Sequence, residues 1–136
     1  MMKIEGVEHI GIAVADLDKC IEKFEKLLGL KCKQRERSEP NRVEVAVFDC
    51  GATKLELVSP TDEASPIQRF IDKGGNSLHH ICFKVDGIDQ WLTFLDGEGV
   101  GLIDKEPRDG ALGHRIAFLK PGSICNFLIE LSEEKP

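Results

Sequence analysis

Apolar residues along the chain recur with two periods, and the places where the period changes divide it into elements. Residues 5–14 alternate around β-branched side chains, which predicts a strand. His9, Gly11 and Ala13 then share one face, and Ile10, Ile12 and Val14 the other. Asp16 or Asp18 can cap a helix that runs to Leu28, with Ile21, Phe24, Leu27 and Leu28 at helical spacing and Gly29 as its stop. Residues 30–37 read as a second strand with a basic outer face, and residues 38–41 as a turn. Residues 43–50 and 53–59 are two strands joined at Gly51-Ala52. A two-residue loop pairs Cys50 with Thr53, Val47 with Glu56 and Val45 with Val58, and it turns Glu44 to the opposite face.

The second half repeats this order after a linker helix over 65–74. Ser65 caps that helix, Pro66 opens it, and Ile67, Phe70 and Ile71 form its inner face. Residues 78–85 read as a strand with His80, Cys82 and Lys84 on one face. Asp86 is placed to cap a helix through Leu95, with Ile88, Trp91, Leu92 and Leu95 inward. A strand over 100–105, a loop over 107–113 and strands over 115–120 and 126–132 complete the expectation. The fold class is therefore α+β. Two tandem βαβββ modules, about 4–60 and 77–132, form a curved mixed sheet around a cleft within one domain spanning 1–136.

The repeat changes how its polar residues read. His9 and His80 occupy equivalent positions, as do Glu56 and Glu130. One imidazole or carboxylate on a strand is ordinarily a satisfied or solvated side chain. Two of each at matching positions can hold one divalent metal, and an inward-facing carboxylate needs such pairing to offset several kcal/mol of desolvation. The donor set suits Co, Ni, Mn, Fe or Zn with coordination positions left open for substrate. A Lewis acid there stabilises an enolate oxygen, and a neighbouring glutamate can act as base. His79 competes with His80, but strand alternation admits only one to the cleft face, and the repeat register selects His80.

Composition and charge narrow the function. The chain carries a net charge of −6 with its Lys and Arg scattered, which argues against a nucleic-acid surface. No apolar run is long enough to span a membrane, and the first residues lack a secretory apolar core. The five cysteines include no Cys-x-x-Cys pair, so reduced thiols and a cytoplasmic location are expected. An exposed sheet edge in each half makes a homodimer the expected assembly.

The segments Val7-Glu8-His9-Ile10-Gly11-Ile12-Ala13-Val14, Gly51-Ala52-Thr53-Lys54-Leu55-Glu56-Leu57, Ser65-Pro66-Ile67, Leu78-His79-His80-Ile81, Leu128-Ile129-Glu130-Leu131 and the loop Gly110-Ala111-Leu112-Gly113-His114-Arg115 carry a resemblance. They resemble the vicinal oxygen chelate superfamily, which includes glyoxalase I, and within it the epimerases acting on methylmalonyl-CoA. The resemblance implies a 1,1-proton transfer at C2 of a small acyl-CoA through a metal-stabilised enolate. By position, His9, Glu56, His80 and Glu130 are the metal ligands, and Glu130 doubles as acid and base. The second proton carrier stays open. Glu44 is one candidate, needing a bulge near residues 41–42 to turn it inward; Glu56 or a water is another. His114, Arg115 and Lys120, with Arg108, are candidates to meet substrate. A glyoxalase-type lyase and a non-catalytic binder of small molecules are the alternatives within the same fold.

Overall fold

The structure is a computed structural model that describes residues 2–135. The elements run β1 (Lys3–Ala13), α1 (Leu17–Leu28), β2 (Cys32–Ser38), β3 (Val43–Cys50), β4 (Thr53–Pro60), α2 (Pro66–Gly74), β5 (Ser77–Asp86), α3 (Ile88–Gly97), β6 (Arg108–Asp109), β7 (Arg115–Leu119) and β8 (Ile129–Glu133). This is βαβββ twice, with α2 between. The chain forms two compact units, one of His9–His79, the other of the residues up to Glu8 with those from His80 onward.

In the His9–His79 unit the strands lie in the order β2-β3-β4-β1. The hairpin register is the expected one: Cys50 faces Thr53, Val47 faces Glu56 and Val45 faces Val58. β1 runs parallel to β4 with Gly11 opposite Glu56. Strand alternation then sorts the side chains. Ala46, Phe48 and Leu57 lie with Val14, Leu17 and Ile21 in a buried cluster beneath α1. Ala13 and Val58, on the other face, pack with Ile67 of α2. Asp16 caps α1 by accepting the Lys19 N–H at 3.0 Å, and Gly29 ends it at φ 69°, where a residue with a Cβ is strained. The helix holds its place chiefly through that apolar stripe, since isolated helices of this length are marginal in water.

In the unit from His80 onward the strand order is β5-β8-β7-β6. β8 is parallel to β5 and antiparallel to β7. Val85, Ile88, Leu92, Leu102, Ala117, Leu119 and Leu131 form its core under α3. Four expectations are corrected in this unit. Gly87, not Asp86, precedes α3, and its φ of 77° comes with no side-chain cap from its own position. Glu133 of β8 supplies the missing acceptor, taking the N–H groups of Gly87 and Ile88.

The strand expected over 100–105 reduces to one bridge between Leu102 and Leu119. The N–H groups of Ile103 and Asp104 both converge on the Phe118 carbonyl, and the Asp104 carboxylate takes the Phe118 N–H. A side chain thus occupies the place of the next ladder bond. The edge strand β6 forms instead inside the segment expected to be loop, pairing Arg108 with Ile116. β8 begins at Ile129, later than expected, because Cys125 and Asn126 both adopt positive φ, 54° and 55°, which strand pairing does not accommodate.

Candidate functional site

Each unit buries one His–Glu pair, and the two are built alike. In the first, His9 Nδ1 lies 3.2 Å from a Glu56 carboxylate oxygen. Glu56 sits opposite Gly11, and His9 is two residues before Gly11 on the same strand face. In the second, His80 Nε2 lies 3.2 Å from a Glu130 carboxylate oxygen. Glu130 sits opposite Cys82, and His80 is two residues before Cys82. The diagonal between parallel neighbours is therefore the same in both repeats. His80 also meets the Phe118 ring edge-on at 5.8 Å, and Phe118 faces Glu130 from β7.

His9, Glu56, His80 and Glu130 are all only 5–6% exposed. A carboxylate removed from water to that degree costs several kcal/mol unless it is paired. The imidazole provides a partner in each case. The donor chemistry also fits a metal. Two ligand atoms each about 2.1 Å from an ion, at right angles, stand about 3 Å apart, close to the separation within each pair. Mixed imidazole and carboxylate donors favour a divalent first-row ion over calcium or a closed thiolate site. His9, Glu56 and His80 are thus candidate ligands by residue type and burial, and Glu130 matches Glu56 by its place in the repeat.

The remaining residues singled out from the sequence fall in different places. Glu44 does not join Glu56. It lies opposite Ser59 in an unbroken β3–β4 ladder, so it shares a face with Ala46 and Phe48, and its carboxylate pairs with Arg35 at 3.0 Å. In the β2–β3 pairing the register shifts between Cys32 and Gln34, not near residues 41–42. With the β3–β4 ladder unbroken, alternation keeps Glu44 on the α1 side, and the bulge that an inward placement needs does not form there. His79 stacks edge-on against Phe70 of α2 at 4.8 Å, an alternative use for the competing imidazole.

His114 bonds through Nδ1 to the Ser132 hydroxyl at 3.0 Å. Ser132 follows Glu130 by two residues on β8, so His114 reaches the Glu130 face of that sheet. Arg115 goes the other way, pairing with Asp89 of α3 and with Glu133. Lys120 is exposed, with its stem against Gly101. Arg108 lies over the Phe118 ring, 5.6 Å from its centroid, and donates Nε–H to Asp104 at 3.0 Å. The sequence reading missed Ser132, Asp104 and Phe118. The one available signal was the i+2 spacing of Ser132 from Glu130, which puts both on one strand face.

Paired βαβββ modules, each with a buried histidine and glutamate on neighbouring parallel strands, define a class of duplicated α+β proteins. The chain belongs to the Glyoxalase/Bleomycin resistance protein/Dioxygenase superfamily, whose family model matches residues 8–118. It is 40% identical over 129 residues to the Bacillus subtilis protein YqjC, across 95% of this chain and 92% of that one. It is 31% identical to the ethylmalonyl-CoA/methylmalonyl-CoA epimerase of Cereibacter sphaeroides, across 96% of this chain and 98% of that protein. Among solved structures it is similar to a methylmalonyl-CoA epimerase in complex with methylmalonyl-CoA and NH4+, with a TM-score of 0.92 and 32% identity over 97% of this chain and 96% of that one.

Proposed function

We propose that this chain interconverts the two C2 epimers of methylmalonyl-CoA. One observation carries the reading. The buried His–Glu pair recurs in each repeat of a chain that resembles a substrate-bound epimerase along nearly its whole length. His9, Glu56, His80 and Glu130 would hold one divalent ion, of Co, Ni, Mn, Fe or Zn type. When bound, that ion supplies Lewis-acid stabilisation of the negative charge that develops on the thioester oxygen.

The chain's own groups move the proton. The Glu130 carboxylate takes the hydrogen at C2, and the C–H electron pair passes toward the thioester carbonyl to give an enolate. A proton returned to the opposite face gives the other epimer, and return to the same face restores the first. Burial of Glu130 beside the apolar ring of Phe118 excludes bulk water from the basic oxygen, which keeps proton return under the control of the protein. A homodimer and a cytoplasmic location belong to the same proposal. Leu27 and Leu28, 76% and 65% exposed at the end of α1, favour a partner surface, and the absence of any disulfide among the cysteines favours a reducing compartment.

The test is isotopic. Metal-loaded protein incubated with (2S)-methylmalonyl-CoA in deuterated water is expected to exchange the C2 hydrogen and to yield both epimers. Failure to do so with each of the five metals rejects the reading. Conversion of a methylglyoxal–thiol hemithioacetal in its place selects the glyoxalase-type chemistry.

A further inference from the structure

Inversion at carbon needs a proton carrier on each face of the enolate, and Glu130 is only one. We propose that His114, held by Ser132, is the second: a catalytic acid and base that works against Glu130. This rests on the epimerase reading above and assigns the group that the reading leaves open.

Four observations lead to it. His114 is half-buried, and its Nδ1 is fixed 3.0 Å from Ser132 Oγ. Ser132 is 2% exposed on the central strand β8 of its sheet, so the anchor does not wander. The His114 Nε2 has no hydrogen-bond partner among the described residues, and the ring therefore offers one nitrogen to a ligand. Finally, Ser132 and Glu130 lie on one face, two residues apart, and Ile116 and Phe118 oppose them on β7.

The anchor of His114 stands at a separation from Glu130 that suits a two-sided transfer. Two residues along a strand span about 7 Å, which separates Glu130 from Ser132, and the His114 ring is held on Ser132 through Nδ1. A carbon flanked by two proton carriers, each at hydrogen-bond reach of about 3 Å, needs them about 6 Å apart. Glu44, the other carboxylate considered, is on the α1 side of its sheet and bound to Arg35.

Ser132 occupies Nδ1 and leaves Nε2 to the substrate side. The hydroxyl serves as acceptor when Nδ1 is protonated and as donor when it is not, so Nε2 is the nitrogen that takes up and releases the transferred proton. In one direction the Glu130 carboxylate takes the C2 proton and becomes a carboxylic acid, while imidazolium Nε2–H protonates the enolate from the other side and becomes neutral imidazole. In the reverse direction neutral imidazole takes the proton and the Glu130 carboxylic acid returns one. Exchange with solvent resets both groups, and no other reactant is consumed.

A merely structural histidine and a one-sided proton carrier differ in which epimer they affect. The two epimers are offered separately to metal-loaded wild type and His114→Gln in deuterated water, and C2 exchange and inversion are read by NMR. For His114→Gln the expected result is loss of inversion by about 100-fold or more. The epimer facing Glu130 keeps exchanging its hydrogen with retention, and the other epimer stops exchanging. Ser132→Ala, which leaves the imidazole in place but untethered, is expected to show the same handed loss to a lesser degree.

A readout apart from turnover is the His114 ring signal in 15N spectra of the zinc-loaded protein. Binding of the analogue 2-nitronate-propionyl-CoA is expected to move it. Equal slowing of both epimers, unchanged inversion, or an unmoved ring signal overturns the assignment. Absence of exchange in wild type itself overturns the epimerase reading and this assignment together.

Discussion

Glu133 Oε2 accepts the backbone N–H of Gly87 at 2.7 Å, so a side chain from the last strand caps the helix that follows β5. The same carboxylate accepts Ile88 N–H at 3.3 Å, and its other oxygen meets Arg115. A helix N-terminus leaves its first N–H groups unpaired, and Gly87 brings no side chain to satisfy them. Replacing Glu133 with Ala is expected to cost about 1–2 kcal/mol, the usual range for a lost N-cap. For a chain of this size that lowers Tm by about 3–7 °C. Thermal unfolding followed by circular dichroism checks it, and an unchanged Tm places the cap elsewhere.

Glu44 and Glu130 offer a contrast between two glutamates of similar sequence setting. Glu44 is tied to Arg35, which also bonds Asp18 at 2.8 Å on the α1 side. Glu44→Gln is expected to leave epimerisation within about two-fold of wild type, since pairs this exposed contribute at most about 1 kcal/mol to stability. Glu130→Gln is expected to lower kcat by about 100-fold or more, the usual contribution of a positioned acid or base. Steady-state kinetics on both variants separates them, and comparable losses would return Glu44 to the site.

Metal removal should be visible without any substrate. An ion that binds only the folded chain stabilises it by about 2.7 kcal/mol at a hundred times its Kd. Adding Co, Mn or Zn to chelator-treated protein is therefore expected to raise Tm. The increase should shrink sharply in His9→Ala and in His80→Ala. Each of these variants also leaves a buried glutamate without its imidazole, so their metal-free Tm is expected to fall as well. Equal metal-induced shifts in wild type and both variants would remove the two histidines from the ligand set.

The cysteines should react in order of exposure and acidity. Cys50 and Cys125 are exposed, and Cys82 is buried. Burial raises the Cys20 thiol above its ordinary pKa, and the nearby Asp16 charge raises it further. Thiolate is the reactive form, so Cys20 holds less of it at any pH below that raised value, and its alkylation accelerates only at more alkaline pH. Mass spectrometry after a brief iodoacetamide pulse near neutral pH is expected to find Cys50 and Cys125 modified first and Cys82 last. Early labelling of Cys82 would contradict the packing described for β5.

Much of the fold follows from local pattern. Alternation over β1, the Gly51-Ala52 turn and the apolar stripe of α1 each state their element within a few residues. The hairpin register alone put Val47 opposite Glu56 and turned Glu44 away, because one turn length fixes every later pair. Where the reading failed, the deciding partner was remote. Asp86 looked like a cap, yet the acceptor came from Glu133. Residues 100–105 looked like a strand, yet Asp104 Oδ2 took the Phe118 N–H that a strand neighbour would have used.

The sequence by itself determined the duplication, the element order and the matched places of His9 with His80 and of Glu56 with Glu130. Those depend on spacing and side-chain period, which are properties of the linear chain. Tertiary structure decided that His9 meets Glu56 at 3.2 Å, that His80 meets Glu130 at the same distance, and that Ser132 holds His114. Those contacts join residues far apart in the chain, and they exist only because parallel pairing of β1 with β4 and of β5 with β8 brings the strands side by side.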